Sequence, residues 1–233
     1  MLFITSLSPF HINKDIQQKA VDSWIKLGGQ VFSFNHPDEI HLLKDYNNVH
    51  FVETTHTMQH IFKKPYVNIN AMIDWAKKQD QQHICLINSD IELDNNPILL
   101  QKIRFELNTK VVVAHRNDYV RHKKVSQPYV LGIDAFFLNQ KHLHIYPSSL
   151  LCMGNCHWDY NIPFTAVKNG IEVINLQNKF AFHKKHPVQY SAKNWETTSK
   201  MFAIEHGIDY DNAGRLTELI FNFLQLNTKK VIL

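Results

Sequence analysis

The sequence predicts an α/β protein: a mostly parallel sheet flanked by helices, followed by a helical C-terminal extension. Two observations carry this reading. Short apolar runs at 2–7, 30–34, 49–52 and 84–87 alternate with helix-period patterns. The breakers Ser8-Pro9, Gly28-Gly29 and Asn35-His36-Pro37 fall between them. A βαβαβαβ order of this kind implies parallel strands with helices on both faces.

The elements follow in order. After the first run, Asn13 is a candidate cap for a helix over 14–27, in which Ile16, Ala20, Val21, Trp24 and Leu27 share one face. Gly28-Gly29 stops it. A short helix fits 38–43. Pro65 is expected to open a helix reaching Lys78. The stretch HICLINSDIEL, 83–93, begins as a buried strand and turns polar at Asn88, Ser89 and Asp90. In the second half, a helix over 97–107 and strands over 110–114 and 130–138 are expected. Asp159 is a candidate cap for a helix to Lys168, and strands over 171–176 and 179–182 follow. Helices over 191–206 and 211–226 close the chain. The expected domains are 1–187 and a helical extension, 188–233, packed on it.

With 233 residues, 44% of them hydrophobic, the chain is long enough to bury a core without staples. The three cysteines give no disulfide framework and no paired zinc motif. No run approaches the length that spans a bilayer, and the first residues lack a basic leader. A cytoplasmic location is expected, with peripheral membrane contact compatible. The net charge of +4 fits an anionic ligand, nucleic acid or an acidic surface without choosing among them.

Ligands of open parallel sheets bind beyond the carboxyl ends of the strands. That rule gathers Ser6, Ser8, Asn35, His36, Asn88 and Asp90 along one rim. Asp90 at a strand end has two readings: a turn-forming residue, or a ligand for Mg²⁺ or Mn²⁺. Asn88, two residues earlier, lies on the same side of the strand.

A hydrophobic strand that ends in Asn88-Ser89-Asp90 after three βα units resembles the GT-A glycosyltransferases and their D-x-D motif. Asn replaces the first Asp, which puts metal affinity in doubt; Asp90-Ile91-Glu92 is a second, lower-ranked pair. Gly132-Ile133-Asp134-Ala135-Phe136 resembles the G-x-D-x-F strand of that family, and Trp158-Asp159 the pair that opens its acceptor-side helix. The resemblance implies these roles: Asp90 and His183 hold Mn²⁺ or Mg²⁺, with His186 the rival to His183. Ser6, Ser8, Asn35, His36, Asn70 and Asn88 bind the nucleotide. Gly132, Asp134 and Trp158 meet the sugar or acceptor, and Asp159 is the general base of an inverting transfer. A salt bridge for Asp134, a cap for Asp159 and a core position for Trp158 are the structural alternatives. The implied partners are a UDP- or GDP-sugar and a glycan, lipid-linked or other hydroxyl acceptor, with a modified DNA base a lesser candidate. A catalytically inactive nucleotide-sugar or nucleic-acid binder is the competing reading. A sugar nucleotidyltransferase is disfavoured because residues 6–10 contain no glycine.

Overall fold

The computed structural model describes residues 1–11, 14–187 and 191–233. Its sheet begins with β1 (Leu2–Thr5), β2 (Gln30–Asn35), β3 (Val49–Glu53) and β4 (His83–Ile87), paired in parallel in the order β3-β2-β1-β4. Beyond β4 come β7 (Gln127–Asn139), β6 (Lys110–Tyr119), β8 (Glu172–Lys184) and β5 (Ile91–Leu93). β7 runs antiparallel to both β4 and β6, and β6 pairs in parallel with β8. The result is a mixed, mostly parallel sheet.

Alternate residues of each strand feed opposite faces, as the two-residue strand period requires. Leu2, Ile4, Ile84, Leu86, Val111 and Val113 join a core with α4 (Ile69–Ala76), α6 (Trp158–Lys168), α7 (Ala192–His206) and α8 (Ala213–Asn227). Phe3, Cys85, Ile87, Val112 and Ala114 join the other, with α1 (Lys14–Lys26) and α5 (Pro97–Glu106). A strand buried on both faces cannot alternate apolar with polar residues, which is why Ile84 to Ile87 reads as one apolar run.

Several elements differ from expectation. The helix predicted from Pro65 begins after Asn68, whose side chain caps it by accepting from the Asn70 N–H. Val67 and Asn68 instead form single β-bridges with Thr57 and Cys152. The two late strands are one, β8, with a register shift opposite Ala114 and Arg116. The extension is not helical throughout. After α7 and α8, capped by Ser191 and Asn212, β9 (Thr228–Val231) adds to the sheet beside β8. Asn13 lies outside the described residues.

The most consequential difference is β5. Ile91–Leu93, to which the sequence assigned no separate strand, forms a short strand antiparallel to β8, with Ile91 opposite His183. β4 and β5 are adjacent in sequence but sit on opposite sides of β7, β6 and β8 in the sheet. The Asn88-Ser89-Asp90 turn therefore crosses the end of the sheet. α1 holds it there: the Trp24 indole donates to the Ile91 carbonyl (2.9 Å), and Ser23 Oγ accepts from the Leu93 N–H (2.9 Å).

Candidate functional site

The site is built where the turn after β4 meets the far end of β8. His183 on β8 lies between two strands, paired in register with Asp118 of β6 and Ile91 of β5. That pairing delivers the imidazole to Asp90: His183 Nε2 stands 3.5 Å from Asp90 Oδ2. His186 Nε2 stands 2.9 Å from the same oxygen, and His11 Nε2, from the loop after β1, 3.8 Å. The ligand atoms of His11, Asp90 and His186 all lie within 4.8 Å of one another. Burial alone would raise the Asp90 pKa, but hydrogen bonds from His11, His183 and His186 hold it well below the usual carboxylate range. The Asp90 hydrogen bond in turn raises the His186 pKa.

A second group adjoins the first. Asn88 Nδ2 donates to Asp134 Oδ1 at 2.5 Å, and the Asn88 N–H donates to the Asp134 carbonyl at 3.1 Å. Arg116 lies between carboxylates, with Nε 3.1 Å from Asp118 Oδ1 and Nη1 3.5 Å from Asp134 Oδ2. Its guanidinium is centred 4.5 Å from the middle of the Tyr129 ring. Asp134 is 3% exposed, so Asn88 and Arg116 cover its carboxylate rather than leaving it open to a sugar.

Gly132 has a packing reason. A Cβ there would meet Tyr129 Cδ1 at 2.7 Å and Arg116 Nε at 2.9 Å. The space expected for a ligand is thus taken by the Arg116–Tyr129 stack. Gly132→Ala is expected to displace that stack and to cost about 1–3 kcal/mol by overpacking, read from the urea midpoint. An unchanged midpoint would show that the stack moves aside freely.

Asp159 is the second residue of α6. It does not cap the helix as expected; that place belongs to His157, in the left-handed region at φ 68°. Asp159 Oδ1 instead accepts from the Tyr160 N–H at 3.0 Å. Burial, then the negative charge of Asp134, push its pKa up to about 7 against the attraction of Arg116. At neutral pH the carboxyl is therefore near its titration midpoint, the range that suits a general base.

His157 ties α6 to the last two helices. Its ring nitrogens lie 3.2 Å from Thr198 Oγ1 and Thr217 Oγ1 and 3.3 Å from Ser199 Oγ. Burial lowers its pKa to about 4, so the ring is neutral.

Other expected ligands are used internally. Trp158 is 1% exposed and packs edge-on against Phe136, with centroids 5.2 Å apart, so it offers no face to a sugar. Asn35 is fully buried; its amide donates to the Leu7 carbonyl (2.8 Å) and accepts from Ser33 Oγ (2.7 Å), pinning the tip of β1 to β2. Asn70 donates to the Ser149 carbonyl and accepts from the Ser149 N–H, which fastens a loop rather than a nucleotide. Glu92, of the alternative pair, accepts from Tyr119 Oη and meets Lys123 Nζ, each at 2.5 Å.

Ser6 and Ser8 are partly exposed at the β1 tip. His36 caps α2 (Pro37–Ile40) and lines an open cleft of about 570 Å³ with Thr55, Thr57, Gln59, His60 and Lys63. β2 and β4 flank β1, so this cleft and the Asp90 centre begin on strand tips about 10 Å apart.

Sequence reasoning missed His11, Gln17, Arg116 and Asp118. The buried Gln17 amide bonds the Ser8 backbone (2.9 Å), Tyr46 Oη (2.8 Å) and Ser89 Oγ (2.8 Å), joining the β1 loop to the polar turn. A signal for Arg116 and Asp118 existed: alternate charged positions ending an apolar strand share one face. His11 and Gln17 carry no local signal.

No helix among the described residues is long and apolar enough to cross a membrane. No family model and no curated protein matches the sequence. Solved structures do resemble the fold. TarS from S. aureus aligns with a TM-score of 0.52 and 11% identity over 98% of this chain and 44% of that one. TarS 1-349 aligns at 0.49 and 12% over 94% and 68%. HddC from Yersinia pseudotuberculosis, complexed with GMP-PN, aligns at 0.42 and 13% over 81% and 91%. The chain thus spans less than half the length of the full TarS chain. At such identities the likeness concerns architecture: the chain shares a mixed α/β fold with TarS, a glycosyltransferase.

Proposed function

We propose that the protein is a metal-dependent glycosyltransferase of GT-A type, which moves a sugar from a nucleoside diphosphate sugar to an acceptor hydroxyl with inversion. The observation that carries this reading is the convergence of Asp90, His11 and His186 at the strand-tip rim, beside Asn88, Asp134 and Asp159. The TarS-like fold supports it.

The donor set fits a divalent cation: one carboxylate oxygen and two imidazole nitrogens lie within 4.8 Å of one another. Such an ion, when bound, supplies positive charge that stabilises the departing diphosphate. The chain's residues do the rest. Asp90 and the histidines His11 and His186 would hold that ion at the strand-tip rim. The cleft at His36, with Ser6 and Ser8, receives the nucleoside. Arg116 offsets the charge of Asp118 and Asp134 near the reacting centre. Asp159 accepts the proton of the acceptor hydroxyl as its oxygen bonds to the anomeric carbon. The bond from that carbon to the diphosphate breaks, and the electron pair leaves on the diphosphate. A UDP- or GDP-sugar is the proposed donor.

Thermal unfolding with UDP, GDP, ADP, CDP and TDP, each with divalent ion and with EDTA, tests the reading. A ligand at 100 times its dissociation constant adds about 2.7 kcal/mol. For this chain length that raises Tm by roughly 5–10 °C. A shift with one diphosphate, lost with EDTA, is expected. No shift with any of them would leave the rim without a nucleotide role.

A further inference from the structure

The hairpin between β6 and β7 overhangs the rim. Ala135 of β7 pairs with Ile87 at the tip of β4 on one side and with Ala114 of β6 on the other. β6 then continues from Ala114 to Tyr119. At about 3.3 Å per residue, the hairpin projects about 15 Å past the end of β4. β8 runs beside it as far as Lys184, opposite Tyr119. The overhang is pinned to the sheet. Glu92 accepts from Tyr119 Oη and pairs with Lys123 Nζ, which also lies 5.4 Å from the centre of the Phe182 ring. The Ser126 carbonyl accepts from Lys179 Nζ at 3.4 Å.

What this pinned tip shows to solvent is apolar and basic. Val120 is 66% exposed and Val125 70%. Tyr129 and Leu131, alternate residues of β7 behind them, are exposed as well. Arg121 and Lys124 are exposed between the two valines. Lys185 is exposed beside them, its N–H bonded to the Tyr119 carbonyl at 2.9 Å. No Asp or Glu occurs in residues 119–133 or 173–195. Among the described residues, Lys123 pairs with Glu92, whereas Arg121, Lys124 and Lys185 have no carboxylate partner.

A single exposed valine needs no explanation. Two on a pinned, projecting tip, flanked by cations, match a boundary that is anionic outside and apolar within. The short valines enter the acyl edge while the longer Arg and Lys side chains reach the headgroup charges. A nucleic acid would answer the charge and leave the valines in water. Its usual apolar partner is an aromatic face, and the Tyr129 ring is already stacked by Arg116.

We propose that the β6–β7 hairpin docks the protein on an anionic lipid surface, with Val120 and Val125 at the acyl boundary and Arg121, Lys124 and Lys185 on the headgroups. The hairpin and Asp90 share the carboxyl end of the sheet, so docking turns that end toward the bilayer. Docking of this kind needs neither donor nor ion and so goes beyond the transferase reading.

The whole protein, without nucleotide or metal, is sedimented with two kinds of vesicle: phosphatidylcholine alone, and phosphatidylcholine with phosphatidylglycerol in equal parts. Binding to the mixed vesicles only is expected, and it should weaken with salt. Each Lys or Arg near an anionic surface contributes about fivefold, so Arg121→Ser with Lys124→Ser should lower the partition coefficient about 10–30-fold. Val120→Ser with Val125→Ser should lower it about tenfold or more, with little change in salt dependence. Phe105→Ser is the control. That ring is equally exposed, where α5 leads into the amino end of β6 at the other end of the sheet, and its loss should change nothing. Hydrogen exchange of the wild type, which needs no variant, should slow at 119–131 when mixed vesicles are added. No binding to mixed vesicles, equal binding to phosphatidylcholine alone, full binding by the valine variant, or exchange that does not slow at 119–131 overturns the proposal. Duplex DNA that displaces the vesicles and binds the valine variant as tightly as the wild type would overturn it in favour of nucleic acid. If vesicles bind and no nucleoside diphosphate does, the docking surface stands and the transferase reading falls.

Discussion

Asp159→Asn is expected to lower kcat about 10²–10⁴-fold, the usual contribution of a positioned general base. Donor binding should be spared, because the side chain lies on α6 and not in the Asp90 centre. The pH profile provides the finer check. Asp159 works when ionised, and its pKa is pushed up to about 7. In the wild type kcat/KM should therefore fall about tenfold per pH unit below that value and level off above it. Asp134→Asn removes the second cause of the shift, so the midpoint should move to lower pH.

Stability responds with the opposite sign. A carboxyl whose folded pKa exceeds its unfolded value contributes stability below the unfolded pKa, near 3.8, and loses it as pH rises through about 7. Asp159→Asn should consequently raise Tm relative to wild type at pH 8 and leave it unchanged near pH 3. For a domain of this size, each 1 kcal/mol appears as about 2–4 °C. An amide variant that keeps full activity, or one that is destabilised at pH 8, would remove Asp159 from the proposed mechanism.

Asp90→Ala carries the other large effect. It deletes the carboxylate that His11, His183 and His186 share. Stabilisation of a leaving diphosphate by a bound cation is worth several kcal/mol. At about 1.4 kcal/mol per tenfold, transfer should fall about 10²–10³-fold or more. The Tm rise with a nucleoside diphosphate should disappear, with or without EDTA. Glu92→Gln is the contrast. Tyr119 and Lys123 occupy Glu92, so this variant should retain ion binding. If Glu92→Gln loses the ion and Asp90→Ala keeps it, the ligand assignment is reversed.

Much of the site's frame is legible in the chain itself. The unbroken run Ile84 to Ile87 announces a strand covered on both faces, and the polar Asn88-Ser89-Asp90 marks its carboxyl end. Periodicity and strand polarity are local properties, so they survive in a linear reading. The capping residues Asn96, Ser191 and Asn212 act within three residues of their own helices, so their signals are local too.

Tertiary structure decided which polar residues are available. Asn35, Asn70 and Trp158 have the right types at the right places, yet Leu7, Ser149 and Phe136 respectively engage them. Residue type cannot reveal that, because a buried polar group takes whichever partner the packed neighbour presents. Only the fold could bring His11, Asp90 and His186 together from three distant segments. The cause is β5: a three-residue strand too short to announce itself pairs with the end of β8 and sets Ile91 opposite His183. Strand pairing between distant segments is a non-local choice fixed by register and by the Trp24 and Ser23 bonds from α1. The sequence by itself thus determined the parallel strands β1 to β4, their rim and the place of Asp90 on it. The partners of that carboxylate, and the raised basicity of Asp159 beside Asp134, were decided only when folding placed unlike segments within a few ångströms, where desolvation and charge act together.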